Sequence, residues 1–232
     1  MFVDHRIFRT AAVVAFFAAP ALFSSGSLAS TMSGHEMKKE GHSGMKHSMA
    51  DPNEMKKRMM KWMPIAEAKV GERIDGELTI INQDGKRVKL KEYFDKPFFI
   101  TFMFADCPHV CPTINSSLAK AASAGKRKYG DSFRVLSISF DVGRDDVKRM
   151  KDYGDAFTDD FGFWTFGVAE KDTVKQLTQA FGFSYMPHPE EIWAHIAMVS
   201  AVGKGGVLTK QFYGMNVGVD PFLETLGALL KN

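Results

Sequence analysis

The only two cysteines of the chain stand four residues apart, at the point where an apolar run gives way to a helix-like segment: Phe104-Ala105-Asp106-Cys107-Pro108-His109-Val110-Cys111-Pro112-Thr113. Residues i and i+4 share a helix face, so a helix here aims both sulfurs at one spot. The positive end of a helix dipole favours thiolates, which form a disulfide, attack one, or grip a soft metal. Two lone cysteines also serve as buried hydrophobes or as a plain stapling disulfide.

The first residues read as an export signal. Arg6 and Arg9 precede an apolar stretch, Thr10 to Phe23, which suits a signal-peptide core and is short for a bilayer span. Ser27 and Ala29 fit cleavage before Ser30, giving a signal peptide over 1–29; the alternative is an uncleaved anchor in the inner membrane. Either way the remainder is expected outside the cytoplasm, in a bacterial-type periplasm. An exposed cysteine pair there is normally a disulfide unless a reductant or a metal holds it reduced, so a partner is implied.

Residues 30–64 hold eight methionines and three histidines. Thioether and imidazole are suited to copper, and the tract 30–64 reads as a capture segment for Cu(I) and Cu(II), with His35, Met37, His42, Met45, His47 and Met49 as auxiliary ligands. Asp51 and Pro52 are placed to start a short helix in which Met55, Met59 and Met63 share a face, a pattern that serves packing as well as metal binding. The formal net charge of +3 belongs to this tract and the leader, because residues 65–232 carry one more acid than base. Nucleic-acid binding is not expected.

Residues 65–232 are enough for one domain. A hairpin is predicted over 77–90, a buried strand over 97–104, a helix over 112–128 and a second buried strand over 133–140. Helices follow over 145–157 and 171–181, separated by Phe163-Trp164-Thr165-Phe166. A strand over 195–202, a glycine turn, a partner strand to Tyr213 and a helix over 221–230 close the chain. This order describes an α/β domain of thioredoxin-like fold: a central mixed sheet flanked by helices, with an N-terminal hairpin. The cysteines then fall at the carboxyl end of a central strand, where open α/β sheets place their sites.

Phe102-Met103-Phe104 running into Cys107-Pro108-His109-Val110-Cys111-Pro112, then Leu136 to Asp141, Phe181-Gly182-Phe183-Ser184-Tyr185 and His195, resemble the SCO/SenC family of thioredoxin-like copper proteins. The resemblance runs through most of residues 70–232. It implies a copper site made by both cysteines and a histidine, used in assembling the copper centre of cytochrome c oxidase or in reducing its cysteines. The implied partners are an oxidase subunit or another copper-site client, and a copper carrier or thiol reductant. Asp141 matches the family's acidic residue after the second central strand. His109 and Ala194 stand where the family usually carries acidic residues, and Gly203-Lys204-Gly205-Gly206 replaces a more acidic turn.

The third ligand is to be chosen among His109, His188 and His195. His195 matches the family position and is predicted to open a strand beside the one carrying the cysteines. His188 sits in a loop with two prolines, and His109 lies between the cysteines, placed to lower their pKa or to bind transiently. Two thiolates and one imidazole suit Cu(I), whereas structural zinc generally takes four protein ligands. A second reading from the same atoms is a thiol-disulfide oxidoreductase with Cys107 and Cys111 as its redox pair. A peroxidase is a third, since Val110 to Thr113 resembles the peroxiredoxin motif; that motif needs a threonine where Pro108 stands.

Overall fold

The structure is a computed structural model that describes residues 68–187 and 193–231. The expected signal peptide, the Met/His tract with its short helix, and His188 lie outside the described residues.

β1 (Thr79–Asn82) and β2 (Arg87–Lys89) form the expected hairpin. Asn82 Oδ1 accepts the N–H groups of Asp84 and Lys86 at 3.1 and 2.9 Å, closing the turn. A 3-10 turn over Leu90–Tyr93 leads to β3 (Phe98–Met103), all six of whose residues are buried. There follow α1 (Val110–Tyr129), β4 (Arg134–Ser139), α2 (Val147–Gly154), β5 (Trp164–Val168) and α3 (Lys171–Phe181). β6 (Tyr185–Pro187) and β7 (Trp193–His195) pair only with each other. β8 (Met198–Val202), β9 (Leu208–Tyr213) and α4 (Val219–Leu229) complete the domain.

Seven strands make one mixed sheet in the order β2-β1-β5-β4-β3-β8-β9. β4 lies parallel to β3 and to β5, and β8 runs antiparallel to β3. Alternate residues of β3 serve opposite faces. Phe99 stacks on Phe222 of α4 with ring centres 3.9 Å apart, while Phe102 meets Phe181 of α3 at 5.5 Å. This two-sided cover explains why the run reads as continuously apolar rather than alternating. Among the described residues no helix is long and apolar enough to cross a membrane.

The expected thioredoxin-like architecture is present, with corrections in detail. α1 begins at Val110 rather than Pro112, so Cys111 is inside the helix; Pro112 is tolerated because a first-turn N–H has no helical partner to lose. α2 starts after Asp146, which accepts the Arg149 N–H at 2.8 Å, because Asp145 turns inward instead of capping. Trp164 and its neighbours are a full strand of the sheet, not a separator between helices. His195 does not open the strand beside β3. It ends β7, paired with Tyr185, and the chain passes through buried Ile196 and Ala197 before β8 begins at Met198. The expected strand over 195–202 is two strands in two sheets, joined at a corner.

Candidate metal centre

β3 delivers the chain to the cysteine loop. The Ala105 N–H donates to Asp145 Oδ2 at 2.9 Å and the Cys107 N–H to the Phe104 carbonyl at 3.3 Å, after which α1 begins. The Cys111 N–H, one of the helix's unpartnered first-turn donors, points at Cys107 Sγ from 3.2 Å. The i, i+4 spacing thus works through the backbone as well as through side-chain direction. Both cysteines are free and buried, Cys107 at 5% exposure and Cys111 at 1%.

Gly182, at φ +62, ends α3 in a left-handed turn that a side chain would strain, and the chain proceeds to β6 and β7. β7 brings His195 to the sulfurs. Its Nε2 lies 3.4 Å from Cys111 Sγ and 3.9 Å from Cys107 Sγ, and the ligand atoms of all three residues fall within 4.8 Å of one another. The Nδ1 side of the ring is 3.0 Å from the Ile196 carbonyl, which can only accept. Nδ1 therefore carries a proton, and in the neutral ring Nε2 turns a bare lone pair toward the sulfurs. The ring is walled by Phe104, Phe140 and Phe183, with ring centres 5.9, 5.4 and 5.8 Å away.

The two sulfurs are electrically unequal. A hydrogen bond from the Cys111 side chain holds the Cys107 thiol down to about 4, against the opposing effect of burial and with help from the N–H groups of Cys111 and His109. Burial first, and then the neighbouring Cys107 sulfur, pushes the Cys111 thiol up. The pair in effect shares one proton, held on Cys111 and donated to the Cys107 thiolate. Burial also pushes the Asp145 carboxyl up, opposed by its bonds from Ser139 Oγ and the Ala105 N–H.

Spacings of 3.4 and 3.9 Å between donor atoms are those of atoms able to share a neighbour at roughly 2.0–2.3 Å from each. Two sulfurs and a bared imidazole nitrogen in a largely apolar pocket fit a soft ion of low coordination number. His109 is exposed and its carbonyl accepts the Thr113 hydroxyl at 2.7 Å; it is not in the cluster. Asp141 is buried, with Arg144 Nε 2.8 Å from its Oδ2 as an ion-pair contact without hydrogen-bond alignment. Ala194 lies opposite Met186 in the small hairpin. Asn115, Ser137, Tyr153 and Asp145 also support the cysteine loop, and none of them carries a local sequence signal for that role.

A thioredoxin-like domain with two thiols and an imidazole at the carboxyl end of its central strand defines a class of soft-metal or disulfide-exchange protein. The chain belongs to the SCO1/SenC family, whose model matches residues 66–229. It is 28% identical over 154 residues to Protein SCO1 homolog 1, mitochondrial, of Arabidopsis thaliana, a match that takes in 65% of this chain and 45% of that protein's length. Among solved structures it is similar to Arabidopsis thaliana ScoI with copper bound, at TM-score 0.60 and 23% identity over 70% of this chain and 98% of that one. It is also similar to BsSco, a member of the Sco family of cytochrome c oxidase assembly proteins in which a disulfide switch was identified. That match has TM-score 0.58 and 20% identity over 70% of this chain and 98% of the other. At these identities the structural matches speak for the fold.

Proposed function

We propose that the protein binds copper through Cys107, Cys111 and His195 and takes part in assembling a copper site of cytochrome c oxidase, outside the cytoplasm. The observation that carries this reading is the bare Nε2 of His195 facing both sulfurs. Family membership supports the direction, as does the copper bound by the Arabidopsis ScoI structure. The Arg6 and Arg9 leader and its apolar stretch support export.

Copper here is cargo. Reduced Cys107 and Cys111 offer one thiolate and one thiol, and uptake of a cation expels the remaining proton, so binding weakens with acid. In the neutral ring of His195 the Ile196 carbonyl keeps the proton on Nδ1, which leaves Nε2 as the donor to the ion. In the copper-loaded site, where that proton has already left, exchange of the two thiolates with an external disulfide joins Cys107 to Cys111, passes two electrons to that disulfide, which leaves as two thiolates, and removes two of three ligands at once. Release is thereby coupled to the redox state of the pair. We further assign to His35, Met37, His42, Met45, His47 and Met49 an auxiliary role in capturing copper ahead of the domain site.

A second reading, a thiol-disulfide oxidoreductase that keeps client cysteines reduced, is favoured by the inequality of the thiols: a ready thiolate on Cys107 and a protonated partner on Cys111 are what exchange with an external disulfide requires. Anaerobic Cu(I) titration of the reduced protein without its leader, beside a form starting at Ile65, tests both levels. The shorter form should keep a tight site and bind fewer ions in total. Absence of tight binding in the shorter form would sink the domain-site reading, and equal stoichiometry in both would remove the role given to the tract.

A further inference from the structure

Asn115 is fully buried on α1, one turn beyond Cys111, and every hydrogen-bonding atom of its side chain has a defined partner. The Trp164 Nε1–H, which can only donate, reaches Ser137 Oγ at 3.0 Å. Ser137 must then spend its single proton on Asn115 Oδ1, 2.9 Å away. This fixes which end of the amide is oxygen. Nδ2 consequently faces the Cys111 carbonyl at 3.1 Å and the Tyr153 hydroxyl at 3.3 Å, with Met103 Sδ at 3.9 Å. A polar spine thus runs from β5 through β4 into α1 and ends on the backbone of one cysteine, inside an otherwise apolar core.

Cys107 has no such tether. Its loop is held two residues upstream, where the buried Asp145 carboxylate takes the Ala105 N–H, and at the surface by the ion pair of Asp106 with Arg149, and it is followed by exposed Pro108 and His109. Buried polar groups with all partners satisfied fix a single arrangement, because any alternative leaves one of them unpaired at a substantial cost. We infer that Asn115 is a positioning residue: through the Trp164–Ser137–Asn115 spine it fixes Cys111 against the sheet, making Cys111 with His195 the stationary half of the site and Cys107 the half that moves. The inference rests on the copper reading for its purpose but not for its test, since it concerns the dithiol and disulfide forms of the metal-free protein.

With Cys111 held by the spine, closure of the disulfide falls to Cys107 alone, so the spine disfavours the disulfide relative to a Cys111 free to meet its partner. The reaction read is protein disulfide plus two glutathione thiols giving protein dithiol plus glutathione disulfide. Asn115→Leu, which keeps volume and removes the polar partners, should move that equilibrium toward the protein disulfide about tenfold, or about 30 mV for a two-electron couple. Ser137→Ala should move it the same way about threefold, and Cu(I) affinity should fall in the same order. Thr178→Val, which removes another buried hydroxyl, one bonded to the Lys175 carbonyl, is the control and should stay within twofold of the parent in both readouts. A folded Asn115→Leu protein with an unchanged glutathione equilibrium would overturn the inference, as would Thr178→Val shifting that equilibrium equally. Should Asn115→Leu fail to fold, Ser137→Ala decides alone. Failure of the parent to bind copper would remove the proposed function, while the glutathione equilibrium would still settle the role of Asn115.

Discussion

The site is assembled from two regions that differ in almost every respect. The cysteines sit on the junction of β3 and α1, between a fully buried central strand and the longest helix of the domain, within five residues of sequence. His195 comes from a three-residue strand in a small hairpin outside the main sheet, 84 positions beyond Cys111. The first region carries the reactive atoms where a buried strand meets a long helix, Cys111 on the helix and Cys107 in the loop before it. The second adds one lone pair, oriented by a single backbone bond and an aromatic wall. A chemical pair can be written locally, but a third ligand requires the fold to bring a distant corner into register.

The sharpest way to break that division is to remove a sulfur. Cys111→Ser should abolish tight Cu(I) binding to the form starting at Ile65 and disulfide formation together, read by anaerobic competition titration and thiol counting. Next in size comes His195→Ala. It should weaken Cu(I) by about a hundredfold or more, on the order of 3 kcal/mol, while disulfide formation persists because that bond depends on the geometry around the cysteines alone. A His195→Ala protein with parental affinity would make the hairpin a bystander.

A third measurement separates the two sulfurs. In the reduced, metal-free protein Cys107 has its thiol held down to about 4, so its thiolate is populated above that pH and lost below it. Alkylation by iodoacetamide at pH 6, followed by peptide mapping, should label Cys107 at least tenfold faster than Cys111, whereas ordinary thiols near 8.5 would both be slow. Equal rates would erase the inequality on which the oxidoreductase reading leans. The smallest effect is expected at His109, which is exposed and outside the cluster. His109→Ala should change copper affinity less than about twofold, and a loss matching that of His195→Ala would reverse the choice between them.

Much of the cysteine region was legible in the sequence because its signals are local. Phe98 to Met103 reads as a buried strand by composition, and the four-residue spacing of the cysteines states their shared face. The hairpin region was harder. β6 and β7 have three residues each, one of them Pro187, and no alternation can be read over so short a span. β5 escaped notice for a different reason: Trp164 to Val168 is too short to declare its class without its neighbours β4 and β1. His195 was selected by family position, yet placed at the start of the wrong strand, since nothing in Ile196-Ala197-Met198 marks a change of sheet. Asn115 was invisible because a polar residue on a helix is by default a surface residue, and only the arrival of Ser137 and Tyr153 makes it an interior one.

The aromatic wall around His195 has a bearing on which oxidation state of a metal the pocket tolerates. Phe104, Phe140 and Phe183 are nearly inaccessible to solvent and offer no oxygen or nitrogen to an ion on their side. An ion that is content with two or three soft donors forfeits nothing there. A divalent ion that normally retains several waters must shed them against hydrocarbon, with nothing in return. The three rings therefore sort ions by hydration rather than by size, favouring the monovalent, sparsely hydrated cation before any ligand has discriminated.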